Sequence, residues 1–92
     1  MADFIVRVEL HKADASDYEL LHEKMEAKGY SKEIKGLSGK RYKLPSAEYE
    51  VTKNKTASDI RDEVVMIASG VKKNPSVLVT ESADIAWSLQ TM

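Results

Sequence analysis

The residues best suited to chemistry are His11 with Arg7 and Glu9 near the start of the chain, and a cationic run at residues 28–43. That run reads KGYSKEIKGLSGKRYK and holds six basic residues against one acid, Glu33. A histidine near fixed cations suits phosphodiester chemistry. RNA is cut without a metal when a base takes the proton of the 2′-hydroxyl and a cation stabilises the charged phosphorane. His11 is the candidate base or acid, and Arg7 and Arg41 are the candidate cations beside it. Lys35, Lys40, Arg41 and Lys43 are the candidate RNA-binding residues. A plainer reading of the same residues is a set of cross-strand ion pairs, Glu9 with Lys43 and Arg7 with Glu48 or Glu50, each worth ~0.2–1 kcal/mol. The lysines also have a plainer reading, because charge on an edge strand blocks the addition of further strands. His22, the other histidine, lies on a helix flank beside Leu21 and reads as a packing or surface residue. Glu9, His11 and Asp14 form no metal-ligand pattern, so no metal is expected. Nucleophilic triads and phosphate-cradling glycine loops are absent from the sequence, and no cofactor is expected.

The elements that must position these groups follow from periodicity. Phe4, Val6, Val8 and Leu10 alternate with Ile5, Arg7, Glu9 and His11, which predicts a strand with one buried face and Arg7, Glu9 and His11 on the other. Ser16-Asp17-Tyr18-Glu19 reads as a capping box that opens a helix with Tyr18, Leu21 and Met25 inward; Gly29 suits its left-handed end. Residues 30–35 and the segment from Lys40 or Arg41 onward flank the turn Gly36-Leu37-Ser38-Gly39, so the cationic run reads as a β-hairpin. Tyr42 and Leu44 share one parity, whereas Ala47, Tyr49 and Val51 share the other. A bulge at Pro45 would return all of them to one face. Thr56 or Ser58 caps a second helix, with Ile60, Val64, Ile67, Ala68 and Val71 at helical spacing. Asn74-Pro75 ends that run, and SVLVT at 76–80 is a short strand. Residues 81–92 read either as a helical turn or as an irregular arm anchored by Trp87.

The order β-α-β-β-α-β predicts an α+β, ferredoxin-like fold: a four-stranded antiparallel sheet in the order 4-1-3-2 with two helices on one face. In that arrangement Arg41 and Lys43 would stand near His11 and Glu9. Ninety-two residues make a single domain spanning 1–92. The chain is 42% hydrophobic and 32% charged with a formal net charge of −1, which excludes a uniformly basic nucleic-acid binder but leaves room for a local patch. There is no cysteine, hence no disulfide framework. No signal-peptide pattern opens the chain and no apolar run approaches the roughly 18 residues of a membrane span, so the expected location is cytoplasmic, without membrane insertion. The segment KRYKLPSAEY does not match the aromatic pattern of an RNA-recognition domain.

The opening V-R-V-E-L-H strand, the Y-x-x-L-H-x-x-M-E helix and L-P-x-A-E-Y together resemble a small bacterial and prophage family grouped with the GhoS antitoxin. The resemblance covers nearly the whole chain and carries no catalytic signature, so no residue role is transferred from it. It implies a ferredoxin-like fold and a metal-independent endoribonuclease that acts as a type V antitoxin on the messenger of a small membrane toxin. Two other readings stand beside it. One is a nucleic-acid binder without cleavage. The other is a non-catalytic interaction or dimerisation module, a homodimer included, that uses the open sheet face or the Trp87 arm.

Overall fold

The computed structural model describes residues 2–91. Its elements in chain order are β1 (Ala2–Glu9), α1 (Ala15–Ala27), β2 (Glu33–Lys35), β3 (Arg41–Lys43), β4 (Glu48–Lys53), α2 (Ala57–Ser69) and β5 (Ser76–Glu81). The fold is α+β, as expected, but the single four-stranded sheet of order 4-1-3-2 does not form. Instead β4-β1-β5 make a three-stranded antiparallel sheet and β2-β3 a separate hairpin. One bridge, Ser31 with Glu50, joins the two.

The break lies where the sequence changes parity. Between the pairs Glu33–Lys43 and Ser31–Glu50, the first strand has one intervening residue and the second has six. Pro45 has no amide hydrogen to give to a ladder. Ala47 adopts a left-handed φ of 65°, which no regular strand tolerates, and its carbonyl is taken by the Val8 amide at 2.9 Å. The bulge expected at Pro45 is therefore a loop that divides the strand. Leu44 and Tyr49 are buried, but Tyr42 leaves the face that packs on the helices and stands in the hairpin.

Both helices and β1 share one core. Phe4, Val6, Val8, Tyr49, Ile60 and Val64 are wholly buried together with Leu21, Met25, Tyr30 and Ala68. The first helix is capped by Asp14, not Ser16: the Asp14 carboxylate accepts from the Asp17 amide, the Asp17 carboxylate accepts from the Asp14 amide, and Ser16 donates to Asp14. Those bonds, the Ser16 hydroxyl first, hold the Asp14 carboxyl below its ordinary pKa. At the other end Gly29, at φ 90°, lets Tyr30 donate to Met25 and Gly29 donate to Glu26, which closes the helix and delivers Tyr30 into the core beside Met25. The second helix is capped by Thr56 and Asp59 in the same reciprocal way. No helix among the described residues is long and apolar enough to cross a membrane.

Candidate nucleic-acid interface

The hairpin is built around its turn. Gly36 donates to the Lys40 carbonyl at 2.8 Å and Gly39 donates to the Gly36 carbonyl at 3.0 Å, with Gly39 at φ 87° completing a tight reversal. The pairs Glu33–Lys43, Ile34–Tyr42 and Lys35–Arg41 follow. Residues opposite one another in an antiparallel pair point to the same face. Ile34 and Tyr42 therefore face inward. Lys35, Arg41, Lys43 and Glu33 face out, and Lys40 joins them from the turn. Lys35, Lys40, Arg41 and Lys43 are all exposed. Glu33 is the one acid on this face, and it stands 3.6 Å from Arg41.

The inward face rests on the C-terminal arm. Trp87 packs on Tyr42 with ring centroids 5.6 Å apart. A Cβ on Gly36 would come 3.2 Å from the Tyr42 ring and 3.5 Å from Trp87, so this glycine leaves room for the pair. On the side of β3 away from β2, the Lys43 amide donates to the Gln90 carbonyl and Tyr42 bridges to Thr91. The arm thus occupies the place where β1 was expected.

Lys32 pins the hairpin to the main sheet. Its ammonium donates to the carbonyls of Pro45 (3.0 Å) and Glu48 (3.1 Å) and lies over the Tyr49 ring. Burial and the neighbouring Lys43 charge lower its pKa. Lys32 therefore holds the divided strand together and is not a free phosphate ligand.

The other predicted site residues lie on β1. Its pairing with β4 ends at Arg7–Glu48, and it has no pairing with β3. Arg41 and Lys43 are consequently not carried by any ladder to Glu9 and His11. Arg7 is exposed beside Glu48 and Leu78, its register partners on either side. Among the described residues it makes no ion pair with Glu48 or Glu50, and Lys43 makes none with Glu9. His11 is exposed, with Nε2 2.8 Å from the Ser76 hydroxyl. Of the two roles open to His22, packing or surface, it takes the packing one: it is partly buried, and a hydrogen bond joins Nδ1 to the Tyr49 hydroxyl. Burial first, and the Lys32 charge second, lower its pKa.

A cleft of about 530 Å³ lies between the arm and the sheet, lined by Ile5, Ile34, Leu37 and Trp87 together with Asp3, Glu50, Asp84 and, at its hairpin rim, Lys35. Burial and the Asp3 charge push the Glu50 carboxyl up. An anion would meet three acids and one lysine here, so the hairpin face, with its cations against the single acid Glu33, is the better phosphate surface. No group of residues suited to hold a metal occurs among the described residues.

Sequence reasoning found the hairpin and its cations. It missed the Tyr42–Trp87 contact and the role of Lys32. Trp87 was visible as an anchor, but its partner depends on where Tyr42 goes once the strand divides. No protein-family model matches the chain, and no curated protein matches its sequence.

Proposed function

We propose that the protein is a cytoplasmic RNA-binding protein whose contact surface is the outward face of the β2–β3 hairpin. The observation that carries this reading is the register: it puts Lys35, Arg41 and Lys43 on one exposed face, with Lys40 at the adjoining turn and Glu33 as the one acid. Phosphate contacts dominate the affinity of nucleic-acid binders, and such a face can track a strand without reading its bases. The resemblance to GhoS-like antitoxins favours RNA over DNA. Cleavage is not part of this reading, because no strand pairing joins Arg7 on β1 to Arg41 on the hairpin, and among the described residues His11 hydrogen-bonds only to the Ser76 hydroxyl.

The test is titration of a labelled single-stranded RNA across a salt series. Each phosphate contact contributes roughly −0.7 to the slope of log affinity against log salt on single strands. Changing Arg41 and Lys43 together to alanine should weaken binding and flatten the slope by about 1.4. Wild-type protein that shifts no RNA at low salt would overturn the reading.

A further inference from the structure

We infer that β5 is a self-association edge, through which two copies pair antiparallel about a two-fold axis at Leu78. β5 is one of the two outer strands of the three-stranded sheet, the other being β4. Its sequence SVLVTE has no proline, no lysine and one charge, at its last residue. Leu78 in its middle is 64% exposed. Natural sheets usually blunt such an edge with charge, proline or a cover.

The direction of its free backbone groups follows from two bonds. Val8 donates toward β4, to Ala47, while the Asp3 carbonyl accepts from Ser82 on the β5 side. Backbone groups alternate sides along a strand, so odd residues of β1 bond to β5. Their partners are Ser76, Leu78 and Thr80. The amides and carbonyls of Val77 and Val79 therefore point away from β1, to the open edge.

A second copy fits this edge in one register. Keeping the helix-covered faces continuous requires residues of equal parity to pair. Centring on Leu78 then sets Leu78 opposite its counterpart, Val77 opposite Val79, and Ser76 opposite Thr80. Each pair is chemically matched, and the outward groups of Val77 and Val79 bond to one another. The Leu78 pair falls at a position without cross-strand hydrogen bonds, where side chains approach most closely. A closed two-fold contact uses the same patch twice, which this strand satisfies. Five-residue pairing buries less than the roughly 1,200 Å² of a stable interface, so the association is weak and concentration-dependent.

The wild-type chain should sediment as monomer near 10 μM and approach twice that mass near 1 mM, both approximate for a contact of about this strength. Amide exchange at Val77 and Val79 should slow over the same series, while Leu78, already bonded to β1, should not change. Leu78→Glu should abolish the dimer: two carboxylates would face each other across the axis, whereas in the monomer Arg7 lies beside the new acid. A wild-type chain that stays monomeric with unchanged Val77 and Val79 exchange overturns the inference. So does a dimer that survives Leu78→Glu, which would place the contact elsewhere.

Discussion

Two sheet edges of this protein, the hairpin strand β2 and the outer strand β5, are built in opposite ways. The hairpin edge, β2, is three residues long, two of them charged, and its companion β3 is covered on its far side by the C-terminal arm. The β5 edge is six residues long, nearly uncharged and, among the described residues, without a strand on its outer side. Charge keeps another strand from adding to the first. Lack of charge leaves the second open to a matching strand. The two edges also differ in how they are held. β5 pairs along its length with the buried central strand, whereas the hairpin is tied down by Lys32, the Ser31–Glu50 bridge and the Tyr42–Trp87 contact.

The largest expected effect comes from the central strand β1, which pairs with β5 on one side and on the other with β4, the strand bridged to the hairpin segment at Ser31–Glu50. Phe4 is wholly buried between Val51 and Glu81 in register, so Phe4→Ala should cost about 3–5 kcal/mol in urea denaturation. Both edges should melt in one transition. A hairpin that persisted after the sheet had unfolded would show that the contrast is one of separate folding units. A smaller effect is expected at the arm. Trp87 is only partly buried, and Trp87→Ala should cost about 1–2 kcal/mol, below the range for fully buried tryptophan. Amide exchange should quicken at Tyr42 and Lys43 but not at Leu78. Equal quickening at both would erase the difference in anchoring.

The smallest effect concerns the tie between hairpin and sheet. Burial and Lys32 hold the His22 imidazole below its ordinary 6.5, while Glu26 and Glu19 pull the other way. The folded state therefore refuses a proton that the unfolded chain accepts. This contribution to stability is fully present above 6.5 and is lost as the pH falls through the folded-state value. In Lys32→Met the His22 midpoint, followed by nuclear magnetic resonance, should move up and the loss on acidification should shrink. An unmoved midpoint would mean that Lys32 does not reach His22 and that the tie runs through the carbonyls alone.

Much of the local structure was legible in the sequence because it depends on near neighbours. Alternation marked β1, helical spacing marked Ile60, Val64 and Ala68, and Gly29 marked the end of the first helix; the second ends at Ser69, five residues before the stop expected at Asn74-Pro75, and leaves Val71 outside it. The hairpin turn followed from Gly36 and Gly39. The cap of the first helix was misplaced by two residues, because Asp14 and Ser16 are both good cap residues and only the geometry shows which one accepts from the backbone.

What the sequence by itself determined was the order of the elements, the inward faces of β1 and α2, and a cationic hairpin. The parity change at Pro45 was visible too, but its outcome was not. A bulge and a loop have the same local signature, and the choice depends on whether β1 or some other segment pairs with residues 41–43. Only the tertiary structure decided that the arm at Gln90 and Thr91 takes that place, that Tyr42 meets Trp87, and that His11 and Arg7 stay with β1. The physical reason is that strand pairing is a competition between distant segments for the same backbone groups, and no local periodicity records the winner.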